Sequence, residues 1–224
     1  MKPLPWSFTA LEKFKNCPHA YHEIRILKSF TEEQGEAAKW GNYVHEQIEN
    51  YINHGTPMAG NAEIFSGRVQ ETVDWMGGRE GMIAEIESSL STTMTPCGWT
   101  DPDVWVRGIL DLLRVEGPVA WVADWKTGKV KPNSKQMKLF ALLVFYKYPE
   151  VQICHTRFVW LANGKAENTE TYFRVQVQEM WKDFIPDLTE YTKAFKQDVW
   201  QKRQSGLCGK WCAVLSCFNN GKNK

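Results

Sequence analysis

The chain has 224 residues, 43% hydrophobic and 24% charged, with 27 Lys and Arg against 26 Asp and Glu for a formal net charge of +1. That length can bury a sizeable core within one domain, and the composition excludes a disordered or fibrous chain. The charge balance decides nothing about nucleic acid, while the absence of an apolar leader or of ~18 consecutive apolar residues points to the cytoplasm, with no membrane contact. Ser7 to Phe14 reads as a short helix capped by Ser7 or Thr9 and ended before Pro18. Trp40, Val44, Ile48 and Tyr51 recur at helical spacing, so a second helix is expected from Glu36 to Asn53, stopped by Gly55 and Pro57. A third covers Ala62 to Met76. Three strands follow, at Met82 to Leu90, Val104 to Val115 and Val119 to Trp125, the last two joined by a turn at Glu116-Gly117-Pro118. Asn133 to Tyr148 reads as a helix packed on the sheet through Leu139, Leu142, Leu143 and Phe145. Gln152 to Leu161 and Thr169 to Val177 read as strands around an Asn163-Gly164 turn. A long helix is expected from Val177 to Gln201, with a kink at Pro186. Ser205 to Cys217 is too rich in Cys and Gly for a regular element, and the polar residues after Phe218 are expected to fray.

The fold class that follows is α/β, a central mixed sheet flanked by helices in one domain over residues 1–224. Residues 1–60 would carry the N-terminal helices, 80–177 the sheet core, 178–217 the C-terminal helix and cysteines, and 218–224 a tail.

The most informative stretch is Val119-Ala-Trp-Val-Ala-Asp124-Trp-Lys126, an apolar strand that ends in charge. Side chains alternate along a strand, so Asp124 and Lys126 share a face with Trp125 opposite. In an antiparallel hairpin turning at Gly117, Asp111 on the preceding strand comes close to Asp124. Two adjacent carboxylates repel unless a cation lies between them, and Mg²⁺ or Mn²⁺ suits such an oxygen-rich setting. A divalent ion there can polarise a phosphate and acidify a water, with Lys126 orienting that water or offsetting charge in the transition state. The bland reading is an ion pair at the rim of a hairpin.

The order of Gly41-Asn-Tyr-Val-His45-Glu, Asp111, Asp124-x-Lys126 and Gln136 resembles the RecB-like branch of the PD-(D/E)XK nucleases. Pro96-Cys-Gly-Trp99, Trp105-Val-Arg107-Gly-Ile-Leu-Asp111 and Asp124-Trp-Lys126-Thr-Gly128 resemble small phage-encoded RecB-like exonucleases, and the resemblance runs from Phe8 to Cys217. It implies a restriction-endonuclease-like fold, with His45, Asp111 and Asp124 as metal ligands, Lys126 as the catalytic lysine, and Gln136 helping to order the site. Phe140 stands where the family often has a tyrosine. Glu85 occupies the place of a further family glutamate, although Glu87 shares its face in a regular strand. Partners implied are single- or double-stranded DNA and a phage single-strand annealing or binding protein, in the cytoplasm of a host.

Cys208, Cys212 and Cys217 place three thiols within ten residues, a density that in a reducing compartment usually holds metal. Cys17, at the end of the first helix, is the fourth candidate. It resembles the N-terminal cysteine of RecB-like iron–sulfur nucleases, which implies a 4Fe-4S cluster joining the chain ends. A structural Zn²⁺ held by four thiolates is the rival, and four ordinary reduced cysteines the bland alternative. Lys126, Lys129, Lys131, Lys135 and Lys138 fall in thirteen residues without an acid. They form either a track for a DNA backbone or a solvated loop. Arg107, on the strand of Asp111, is placed to meet a flanking phosphate. The expected activity is metal-dependent DNA exonuclease action in phage recombination or DNA processing. A structure- or strand-selective endonuclease on the same core is the second reading, and a non-catalytic DNA-binding protein with a metal-stapled fold the third.

Overall fold

The computed structural model describes residues 4–130, 135–163 and 167–223. Its helices are α1 (Phe8–Asn16), α2 (Pro18–Tyr21), α3 (Glu36–His54), α4 (Ser66–Trp75), α5 (Gln136–Lys147), α6 (Val177–Lys182) and α7 (Ile185–Gln197). Its strands are β1 (Met82–Ser91), β2 (Val104–Glu116), β3 (Val119–Lys126), β4 (Ile153–Trp160) and β5 (Glu167–Phe173). The chain divides into two units, one spanning residues 35–181 and the other made of the two chain ends.

The larger unit is built on a five-stranded sheet in the order β1-β2-β3-β4-β5. Neighbours are antiparallel except β3 and β4, which are parallel and linked through α5, so the sheet is mixed as expected. Leu112, Ala123, Trp125 and Val159 pack with Val44, Ile48 and Ile52 of α3 and Val69 and Val73 of α4 in one buried cluster. Successive strand residues face opposite ways, so Asp124 faces away from that cluster, toward α5, where Gln136 reaches it. From Leu139 to Phe145 every residue of α5 is buried. A helix that is apolar on all sides must be covered on all sides, and this one lacks an amphipathic stripe for that reason.

α3 ends where the sequence punctuates it, at Gly55 in the left-handed conformation. The expected third helix is two elements: a 3₁₀ turn over Gly60–Phe65 precedes α4. The expected long helix from Val177 is broken rather than kinked. Pro186 lies in the first turn of α7, where its missing N–H costs nothing, whereas a continuous helix would set its ring against the carbonyl of Lys182. α7 then stops at Asp198, short of Gln201, in a left-handed turn.

The chain-end unit has an aromatic core. Ser7 caps α1 by accepting the Ala10 N–H at 3.2 Å. α1 sends fully buried Phe14 edge-on against Tyr21 at 5.9 Å and Tyr191 at 5.1 Å between centroids. The hydroxyls of Tyr21 and Tyr191 meet at 2.9 Å, so neither is left unpaired in the interior. Among the described residues after Phe218, Asn220 is packed rather than frayed. Asn220 is 1% exposed, its amide donating to the carbonyls of Cys212 at 3.1 Å and Val214 at 2.9 Å. No described helix is long and apolar enough to cross a membrane.

Candidate active site

Strand register brings the carboxylates together. Ala84 pairs with Leu112 and Ile86 with Leu110, which sets Glu85 opposite Asp111. One step beyond the Leu112–Ala123 pair, Asp111 faces Asp124 across β2 and β3. Glu85 has a left-handed backbone with φ of 51°, a conformation costly for a residue with a side chain. That single turn breaks the alternation of β1, so Glu85 and Glu87 are not equivalent. Glu85 reaches His45, and Glu87 lines the outer cleft.

The histidine arrives from α3. A side-chain carbon at Gly41 would stand 3.3 Å from Thr127 Oγ1, so glycine lets the helix close on the end of β3. One turn later, His45 Nε2 lies 3.1 Å from the Trp125 carbonyl oxygen. With Nε2–H donating to that carbonyl, Nδ1 is directed at acid groups: Asp111 Oδ2 at 3.5 Å and Glu85 Oε1 at 3.6 Å. Ligand atoms of His45, Glu85 and Asp111 lie within 4.8 Å of one another, a spacing that suits a divalent cation. Asp111 Oδ2 also accepts the Trp125 N–H at 2.8 Å, which fixes the carboxylate against the strand.

Asp124 is 1% exposed, and both of its oxygens are engaged. Gln136 donates to Oδ1 at 2.9 Å, and the Lys126 ammonium contacts Oδ2. The structure therefore groups His45 and Asp111 with Glu85, while Asp124 stands directly behind them, held by Gln136 and Lys126. Burial and the neighbouring Asp124 push the Asp111 carboxyl up to about 8. Burial raises Asp124 as well, against the pull of Lys126. Burial works to lower His45, but its contact with Glu85 and the charges of Asp111 and Asp124 outweigh that and raise it. Burial thus dominates the two carboxyls, whereas the surrounding negative charge dominates His45.

An open cleft of about 660 Å³ lies over this cluster, lined by His45, Glu85, Lys126 and the outer face of α3. Asn42, Glu46 and Glu49 of α3 also line it. The sequence reading missed them, although with His45 they fall at i, i+3, i+4 and i+7 on one helical face. Arg107 is not among the lining residues; its guanidinium stacks over Trp99 at 5.1 Å. Lys129 is exposed just past the cleft wall and Lys135 precedes α5, while Lys131 lies outside the described residues.

In the chain-end unit Cys17, Cys208, Cys212 and Cys217 line one cavity. Cys17 Sγ accepts the Ala20 N–H at 3.4 Å and Cys208 Sγ the Ser205 N–H at 3.5 Å. Burial raises the Cys212 thiol, and the other three cysteines add to the shift, so the four share one electrostatic environment.

The profile of the PD-(D/E)XK nuclease superfamily matches residues 5–217. No curated protein matches the chain. A crystal structure from Eubacterium rectale, described as that of a candidate exonuclease, aligns with a TM-score of 0.53 at 11% identity, covering 98% of this chain and 88% of that one. At that identity the likeness concerns the fold. The crystal structure of SSO0001 gives 0.44 at 10% identity, covering 98% of this chain and 89% of that one.

Proposed function

The chain belongs to the PD-(D/E)XK nuclease superfamily, and from that premise we propose that it is a divalent-metal-dependent DNA exonuclease of the RecB-like branch, similar to small phage-encoded enzymes that process DNA for recombination. The observation that carries the reading is the His45, Glu85 and Asp111 group beneath an open cleft, with Asp124 and Lys126 beside it. The donor set is mostly carboxylate oxygen and carries excess negative charge, which fits Mg²⁺ or Mn²⁺. Bound there, such an ion supplies Lewis acidity to the scissile phosphate and lowers the pKa of a water.

The chain's own residues supply the rest. His45 is oriented by the Trp125 carbonyl, so Nδ1 is presented without a rotameric search. Asp111 and Asp124 give carboxylates, Asp124 kept in place by Gln136. Lys126 contacts Asp124 Oδ2 and lines the cleft wall, which supports a role in binding a phosphate oxygen, orienting the attacking water and offsetting charge in the transition state. In sequence Lys129, Lys131 and Lys135 follow Lys126 with no intervening acid, which supports a track of positive charge for the strand, with Arg107 as a further candidate phosphate contact.

The four cysteines form the second part of the proposal, as holders of a 4Fe-4S cluster that ties the chain ends together. The support is the all-thiol donor set around one cavity, with backbone N–H groups directed at the sulfurs of Cys17 and Cys208. Hydrogen bonds to sulfur are among the features that tune such clusters.

The test is incubation with linear and covalently closed DNA, single- and double-stranded, in Mn²⁺ and in EDTA. Degradation of linear DNA with closed circles intact supports the exonuclease. Equal cutting of closed single-stranded circles makes it an endonuclease on the same core, and tight binding with no cleavage in any metal makes it a binding protein.

A further inference from the structure

We propose that the C-terminal segment of the chain-end unit is a stacking platform for single-stranded DNA, with Trp211 and Phe218 against bases and Lys202, Lys210 and Lys222 against phosphates. The proposal rests on the DNA nuclease reading and adds to it a binding surface outside the carboxylate site.

Charge is the first observation. Residues 199–224 contain five Lys and Arg and no Asp or Glu, in a chain whose total balance is +1. Arg203 is engaged by Glu190 and by the Lys15 carbonyl. Lys202, Lys210 and Lys222 are exposed, with no acid in their own segment to balance them. Uncompensated cations on one short segment favour a polyanion over an apolar protein face.

Aromatic exposure is the second. Trp211 is 77% and Phe218 71% exposed, whereas Trp6, Phe14, Tyr21, Phe184, Tyr191 and Phe195 of the same unit are buried. One lysine relates to both rings. Lys202 Nζ lies 4.9 Å from the Phe218 ring centroid, and the same lysine lines the cavity bordered by Trp211 and Leu207.

The third is that the loop carrying them is fixed. Val214 is fully buried, and buried Asn220 holds the carbonyls of Cys212 and Val214 while its own oxygen accepts the Lys222 N–H at 3.0 Å. Rings presented on a pinned loop lose little entropy when a flat partner stacks on them. In a duplex the base faces are already stacked on each other, so such rings reach them only in a single strand.

Fluorescence anisotropy with a labelled thymidine oligonucleotide in EDTA reads binding without cleavage. Trp211→Ala and Phe218→Ala should each weaken single-strand binding about tenfold, and Trp211→Phe should restore most of it. An oligonucleotide of abasic sites should bind wild type and Trp211→Ala equally, since it has no base to stack. Lys202→Gln and Lys210→Gln should each lower the slope of log K against log salt by about 0.7. If Trp211→Ala and Phe218→Ala bind the thymidine strand as tightly as wild type, which itself binds and cuts DNA, the platform is overturned alone and the exposed rings await a protein. If wild type neither binds nor cuts any DNA, the nuclease reading falls and the platform with it.

Discussion

The carboxylate site and the cysteine cavity gather donor groups by opposite means. In the sheet unit, regular β2 and β3 with α3 and α5 bring His45, Asp111, Asp124 and Gln136 together through backbone that is already hydrogen-bonded. Lys126 contacts buried Asp124 there, and the raised Asp111 carboxyl keeps its proton to higher pH, which limits repulsion between the two acids. The cysteine cavity draws three of its four thiols from a segment with a single 3₁₀ turn, Gly206–Gly209, held by separate turn bonds and the Asn220 side chain rather than by a strand or helix ladder. A metal bound by the thiols, as proposed, would therefore add more to the local fold than one bound by the carboxylates.

Asp124→Ala should produce the largest effect, a loss of cleavage of about 10³-fold or more, with apo thermal stability unchanged or higher because a buried carboxylate is gone. Lys126→Ala should abolish cleavage equally but lower stability, by on the order of 1–3 kcal/mol, since it leaves Asp124 buried without its counter-charge. Near-wild-type turnover by Asp124→Ala, measured on linear DNA, would remove the carboxylates from the mechanism.

Cys212→Ser and Cys17→Ser test the other half of the comparison. Protein prepared without air should be brown and carry iron, and either substitution should bleach the absorbance near about 400 nm. Each should also lower Tm by roughly 10 °C. Stoichiometric zinc without iron would replace the cluster by a zinc site, and a stable, metal-free Cys17→Ser protein would take Cys17 out of the ligand set.

A smaller effect is expected in pH. Folded apo protein holds a proton on Asp111 up to about pH 8, where the unfolded chain releases it near 3.8. This group therefore stabilises the fold most below its unfolded value, and that contribution is lost as pH rises through its folded one. A divalent ion must displace the same proton, so the rise in Tm on adding Mn²⁺ should grow between pH 6 and 8. Asp111→Asn should flatten both slopes in a thermal-melt series. His45→Ala should weaken Mn²⁺ binding only about 10- to 100-fold, because carboxylates remain.

The mildest change is expected from joint replacement of Lys129, Lys131 and Lys135 by Gln. Salt dependence of binding should flatten and processivity fall, with the single-turnover rate nearly unchanged. A salt slope identical to wild type would return these lysines to the solvated loop.

Local pattern made much of this molecule legible. Alternation and turn residues located the β2–β3 hairpin, helical spacing and Gly55 bounded α3, and the buried run ending in Asp124-Trp-Lys126 marked where polar chemistry meets the sheet. Periodicity is a property of neighbouring residues, so a sequence alone can determine it. Decisions between distant groups could not be read that way. The choice of Glu85 over Glu87 depends on one left-handed residue inside a strand, and the direction of His45 Nδ1 depends on a carbonyl eighty positions away. The pinning of the tail by Asn220 was likewise settled by the carbonyls it packs against. Sequence determined the elements and the charges they carry, because those follow from short-range sterics and burial. Only tertiary structure decided which charges meet, because a strand register or a single φ angle redirects a side chain without changing the pattern that encoded it.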